Sequence, residues 1–254
     1  MTRQRQAILG SAAIIFLVGG CGWHAATPPT LASRSRPVHW SPVIRQAMAW
    51  VGPRTHLSLL APTTLPHAPH TSAYGFATNN SYSVSVVKTP GQSLPFNDPK
   101  LMSGKTGTVL VSFSAVKIAS QGNSVPVYNL LASYNMLGPS GLPPLSGSPV
   151  SLAGTTAHWS LRRHLLSAKR NQWMYLVEDS SRQAALSTMR SLLAIRGLPQ
   201  QPGLVVVSGT IAMADFEDRG MVMSVAGQQS TPTQVLAMTK SFKPVPRQGL
   251  DAAG

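Results

Sequence analysis

Residues 172–196 read QWMYLVEDSSRQAALSTMRSLLAIR, and residues 220–242 read GMVMSVAGQQSTPTQVLAMTKSF. Both stretches open on a strand-like run, Gln172 to Val177 and Gly220 to Val225, rich in β-branched, aromatic and methionine side chains. Ser180-Ser181-Arg182-Gln183 and Thr231-Pro232-Thr233-Gln234 follow. Each has the Ser/Thr-x-x-Gln spacing of a capping box, in which a hydroxyl and a Gln side chain satisfy two N–H groups at a helix start. Helices are therefore predicted to run on to about Arg196 and about Phe242. Gly197-Leu198-Pro199 closes the first, since glycine caps a helix and proline cannot continue it.

A second strand and a polar turn precede each stretch. His158 to Leu165 leads into Ser167–Asn171, and Leu204 to Phe216 leads into Glu217–Gly220. The unit is hairpin then helix, occurring twice. The predicted fold class is α+β, with antiparallel sheets, helices packed on one face, and a C-terminal half made of a duplicated hairpin–helix (ββα) unit.

Working outward, residues 139–149 (PSGLPPLSGSP) are a predicted linker between an N-terminal α+β half, 41–138, and the C-terminal half, 150–243. Residues 244–254 are expected to be a disordered tail. In the N-terminal half Ser41-Pro42 opens a short helix, with Val43, Ile44, Ala47, Met48 and Val51 as its apolar face and Gly52-Pro53 as its stop. His56 to Leu60 reads as a strand. Ser72 to Ala77 and Ser81 to Lys88 read as a hairpin around Asn79-Asn80, because Asn tolerates positive φ. Gly107 to Ala119 is a further β-branched run.

The N-terminus reads MTRQRQAILGSAAIIFLVGGCG. Arg3 and Arg5 precede an apolar run from Ala7 to Val18, too short for the roughly 20 residues that a membrane-spanning helix needs and of signal-peptide length. Val18-Gly19-Gly20-Cys21 resembles a lipobox, and Cys21 is the only cysteine in 254 residues. Residues 1–20 are thus the predicted signal peptide, and Cys21 the lipid-attachment site of a palmitate-type acyl anchor. Residues 21–40 form the lipidated end and a flexible tether, whose 20 or so residues reach roughly 25 Å. The expected location is the extracytoplasmic face of the cell membrane, with membrane lipid as partner through Cys21.

The chain carries 21 Lys and Arg against 7 Asp and Glu, a net +14 that becomes +12 when Arg3 and Arg5 leave with the signal. Acid is scarce rather than base abundant. Such a surface favours an anionic wall polymer, anionic lipid or an envelope protein. A protein living in acid would also shed carboxylates, because ion pairs fail as these protonate. Nucleic acid is not expected, since the bases are scattered apart from Arg162-Arg163 and Lys169-Arg170 and only 6% of residues are aromatic.

Few motifs suggest chemistry. Ser85-Val-Val-Lys88, Ser133-Tyr134-Asn135 and Lys105-Thr106-Gly107 have the residue types of penicillin-interacting serine enzymes. Their order is wrong, and Ser85 and Lys88 lie three apart on a predicted strand, where they face opposite sides. Ser103–Thr108 lacks the upstream glycine of a phosphate-binding loop. His67-Ala-Pro-His70 has no partner cysteine or carboxylate, so no metal site and no cofactor are assigned. Asp215, Glu217 and Asp218 read as a solvated hairpin turn beside Arg219. Trp159, Trp173 and Tyr175 read as core or sheet-face residues. No catalytic residue is assigned.

Phe96-Asn97-Asp98-Pro99, the run after Gly107, Trp173-x-x-x-Val177, Leu198-Pro199-x-x-Pro202-Gly203 and Ala237-Met238-Thr239-Lys240-Ser241-Phe242 occur in order. Together with the lipobox this pattern resembles uncharacterised lipid-anchored envelope lipoproteins of Gram-positive bacteria. Those chains carry an Asn-Asp/Asn-Pro loop, a Trp-x-x-Gly-x-Trp-x-x-x-Val hairpin and a final Met-Ala-x-Ser helix. Here Ser167–Asn171 replaces the glycine turn, and Phe216 and Met221 stand where Trp and Tyr are expected. The resemblance spans residues 40 to 243 and implies fold and address, without an activity. The expected function is a non-catalytic binding or interaction module at the cell envelope. The alternatives are a cell-wall enzyme using Ser85, Lys88 and Lys105, or a structural or regulatory lipoprotein with a protein partner.

Overall fold

The computed structural model describes residues 38–118, 145 and 147–247. Cys21, Ser133–Asn135 and most of the predicted linker lie outside them. The chain runs α1 (Pro42–Val51), β1 (Leu60–Pro62), β2 (Thr71–Thr78), β3 (Ser81–Lys88), α2 (Pro99–Met102) and β4 (Thr108–Lys117). After the residues not described come β5 (Ser148–Leu152), β6 (Thr155–Ser160), β7 (Leu165–Arg170), β8 (Trp173–Glu178) and α3 (Arg182–Ala194). It ends with β9 (Gly203–Ser208), β10 (Ile211–Asp218), β11 (Met221–Gly227), α4 (Pro232–Lys240) and β12 (Phe242–Pro244).

The fold is α+β. Ten strands form one sheet in the order β2-β3-β4-β11-β10-β9-β8-β7-β6-β5, and β1 pairs with β12 separately. Every neighbouring pair in the large sheet is antiparallel except β8–β9. That pair is parallel because α3 lies between the two strands, and a helical crossover returns the chain to start the next strand in the same direction. Strands alternate their side chains, so Tyr82, Phe113, Met223, Phe216, Val205, Tyr175 and Leu166 share one face. Ile44 and Met48 of α1, Met189 and Leu193 of α3, and Val235 and Leu236 of α4 join that face in a single core. Each such side chain contributes about 1.5–3 kcal/mol by leaving water.

The duplicated unit exists as β7-β8-α3 and β10-β11-α4, with β9 between the copies. Its boundaries correct the sequence reading. His158–Leu165 is not one strand: the chain breaks at a 3-10 turn, Leu161–Arg163, and His164 takes a positive φ of 48°. Most of the predicted turn Ser167–Asn171 is strand β7, and the reversal is made at Asn171, φ 54°. Leu204–Phe216 is two strands, turned at Gly209. The reversal after Asp218 is made at Arg219 and Gly220, which both have positive φ.

Only α4 has the predicted capping box, with Thr231 and Gln234 bonding reciprocally. In α3 the cap is Ser181, whose hydroxyl accepts from the Ala184 N–H, while the Asp179 carboxylate accepts from the Ser181 N–H and moves the start one residue on. α3 ends at Ala194 and α4 at Lys240, where Phe242 begins β12. Ser41 precedes α1 but its hydroxyl accepts no capping hydrogen bond; its carbonyl accepts from the N–H groups of Ile44 and Arg45. The hairpin at Asn79-Asn80 forms without positive φ at either residue, steadied by the Thr78–Ser81 hydroxyl pair at 2.8 Å. The strand expected at His56–Leu60 lies at Leu60–Pro62.

The organisation differs in four further places. β4, from before the predicted linker, pairs with β11 from after it, so strands of both halves share one sheet. β5 begins at Ser148, inside the predicted linker, because Ser148 and Pro149 pair with Trp159 and His158 on an edge strand, where a proline's missing N–H costs no ladder bond. Residues 244–247, expected to be tail, are held: Val245 is buried, and the Arg247 guanidinium donates to the carbonyls of Gly52, Thr55 and Leu57. At the start, Trp40 of the predicted tether packs against the core.

Candidate binding groove

Two adjoining hollows sit beside the loop from Ile195 to Pro202. The loop is fixed from several sides. The Trp173 indole N–H donates to the Pro199 carbonyl at 2.8 Å, the Gly203 N–H to Gln172 at 3.1 Å, and the Glu217 N–H to Pro202 at 3.2 Å. Gly203 is required here: a Cβ on it would lie 2.5 Å from the Trp173 ring. With only hydrogen at that position the indole lies across the strand and reaches Phe216, centroids 6.3 Å apart. Phe216 then meets Phe242, and Phe242 meets Phe113, in edge-on contacts of 5.7 and 5.9 Å.

The first hollow, about 380 Å³, has Arg170, Asn171, Trp173, Tyr175 and Arg196 among its lining. Arg170 also donates to the Leu193 carbonyl at the end of α3, where a cation suits the exposed carbonyls. The second, about 320 Å³, is lined among others by Asp218, Arg219, Lys240 and Lys243. Gly197 and Pro199 line both. Five cations thus border the pair against one carboxylate, Asp218, which lies 3.7 Å from Arg219. Clustered like charges at a concave surface raise the local potential and gather counter-ions. Two other hollows among the described residues are less charged: one beside α1 includes the single cation Arg45, and one beside Thr231 is lined by uncharged residues.

Tyr175 stands apart within the first hollow. Its side chain is only 3% exposed, on the helix-covered face of β8. Burial pushes its phenol up to about 12, so it stays protonated. Its hydroxyl has no hydrogen-bond partner among the described residues, whereas the other core tyrosine, Tyr82, exchanges bonds with the Leu60 N–H and carbonyl at 3.0 and 2.9 Å.

No family model matches the chain, and neither a curated protein nor a solved structure does.

The residues singled out by sequence fall elsewhere. Ser85 lies on β3 with its hydroxyl 2.8 Å from that of Ser112, Lys88 ends the strand opposite Thr108, and Lys105 lies in the turn before β4. His67 and His70 lie in the loop before β2, and among the described residues no group of three or more His, Cys, Asp or Glu could hold a metal ion. Trp159, Trp173 and Tyr175 are core residues. No described helix is long and apolar enough to cross a membrane.

Asp215 corrects the expectation of a solvated acidic turn. It lies within β10, fully buried, paired in register with Leu204 and Ser224 on the face opposite the helices. Met174, Leu176, Leu204 and Val222 are buried on that face too, which explains why β8 is apolar at consecutive positions rather than alternate ones. Burial raises the Asp215 carboxyl to about 7, against a partly offsetting hydrogen bond from Ser224.

The groove itself was missed in the sequence because its five cations come from four separate stretches, Arg170, Arg196, Arg219 and Lys240–Lys243. Only Lys169-Arg170 hinted at it, and alternation sends those two side chains to opposite faces.

Proposed function

We propose that the chain is a lipid-anchored extracytoplasmic protein, held at the cell membrane through Cys21, that binds an anionic component of the cell envelope without catalysing a reaction. The observation that carries the binding half is the paired hollow, with Arg170, Arg196, Arg219, Lys240 and Lys243 around it and Asp218 as its carboxylate. The anchoring half rests on the charged, apolar and small-residue succession that ends at the sole cysteine.

The test is co-sedimentation of the protein with isolated cell walls and with anionic vesicles at low and high salt, beside an Arg196→Gln/Lys240→Gln/Lys243→Gln variant. Binding that survives high salt and is lost in the variant is expected. Wild-type binding that vanishes with salt, or a variant that binds equally, would reduce the charge to diffuse attraction.

A further inference from the structure

We infer that the first hollow seats the phosphate of a phosphodiester, with the Tyr175 hydroxyl donating from the floor and Arg170 and Arg196 closing from the sides. This deepens the proposed function and rests on it. A hydroxyl with no protein partner at the edge of a hollow is free to donate to whatever fills it. Tyr175 offers one: most of the residue is covered, yet its side chain lines an open space of about 380 Å³.

A neutral phenol, pushed up to about 12 by burial, keeps a hydrogen that it can donate to an acceptor, and the charges beside it decide the kind of occupant. Those charges are positive. Arg170 comes from β7, Arg196 from just beyond α3, and none of the described lining residues is a carboxylate. Arg170 spends one N–H on the Leu193 carbonyl, and a guanidinium has five. A neutral occupant would leave these charges without a counterpart; an anion meets all three donors.

Geometry favours phosphate over carboxylate. The donor residues come from three separate elements, β8, β7 and the chain just beyond α3, and tetrahedral oxygens can accept from three directions where a planar carboxylate offers two oxygens in one plane. Charge favours it also, since a phosphodiester stays anionic in acid whereas a carboxylate protonates near pH 4 or below. A membrane phospholipid headgroup and a phosphodiester-linked wall polymer would both present this group.

The test is calorimetric titration of the full-length chain, held in neutral detergent micelles, with glycerophosphoglycerol at pH 7 and pH 4. Saturable binding of similar strength at both pH values is expected. Tyr175→Phe leaves net charge unchanged and should weaken binding about tenfold, the usual worth of a hydrogen bond to a charged group, without lowering Tm. Arg196→Gln should weaken it too, and Arg162→Gln, at the opposite end of β7, should not. Competition by phosphatidylglycerol-doped micelles or by purified wall polymer then tells the two sources apart.

Equal affinity in Tyr175→Phe overturns the seat: the hydroxyl then faces water only, and the wider envelope function is untouched. Binding at pH 7 that disappears at pH 4, or displacement by succinate, overturns phosphate as the class. Failure to bind glycerophosphoglycerol with salt-resistant wall sedimentation retained overturns this inference alone. Failure of both removes the proposed function with it.

Discussion

Replacing the buried Asp215 with Asn is expected to raise stability at neutral pH and to change it little in acid. The carboxyl is fully buried in β10, and burial raises it from 3.8 to about 7. Below pH 3.8 it is protonated in both the folded and the unfolded chain, and the folded state carries no penalty. Between 3.8 and 7 the unfolded chain sheds the proton while the folded chain keeps it, so stability falls as pH rises. Above 7 both are ionised and the loss is complete. A difference of about 3 pKa units at 1.36 kcal/mol each gives a loss of about 4 kcal/mol between pH 4 and pH 8. That is a large share of the 5–15 kcal/mol typical of a folded domain.

The assay is guanidinium unfolding followed by tryptophan fluorescence at pH 4, 6 and 8, on the wild type and on Asp215→Asn. Asn has nearly the shape of the protonated acid and does not titrate, so the variant should gain up to about 4 kcal/mol over wild type at pH 8 and little at pH 4. Taking the difference between variants cancels the general repulsion of a cationic chain, which both share. A wild type as stable at pH 8 as at pH 4, or an Asn variant with the same pH slope, would refute the reasoning.

Three other outcomes are expected. Gly203→Ala drives a methyl to 2.5 Å from the Trp173 ring; overpacking of this kind costs about 1–3 kcal/mol, and equilibrium unfolding with a shifted tryptophan emission would register it. Tyr82→Phe strands the N–H and carbonyl of Leu60, which should cost about 1–3 kcal/mol by the same measurement, whereas Tyr175→Phe should cost nothing. Cys21→Ser should abolish metabolic labelling with a fatty acid, and retained label would defeat the proposed anchor.

The sequence made the layers legible because periodicity is a local property. The apolar set of α1, from Val43 to Val51, is the set the structure buries, and Thr231-Pro232-Thr233-Gln234 forms the capping box its spacing requires. Strand ends were harder. Leu204–Phe216 contains Gly209-Thr210, yet its residues are apolar enough on both sides to read as one run. The β8–β9 pair is parallel because of the α3 crossover, a consequence of connection rather than composition. The groove and Asp215 were illegible for one physical reason. Whether a side chain meets water depends on what packs across from it, and a carboxyl at the centre of a ten-stranded sheet has the same sequence neighbourhood as one in a turn.

That buried carboxyl also bears on why this chain has so few acids. Scarcity alone fits an anionic partner or life in acid equally well. An anionic partner requires carboxylates to be absent where it docks, and among the described residues the groove has only Asp218, near Arg219. It places no demand on the interior. A buried Asp that is neutral only below about pH 7 is a burden in a neutral medium and harmless in an acidic one. The two explanations therefore bear on different parts of the molecule and do not compete: the first concerns the proposed groove, and the second concerns the pH at which a buried Asp215 is tolerated. The proposed phosphodiester would be compatible with both, because it keeps its charge at the pH where a protonated Asp215 carries no burial penalty.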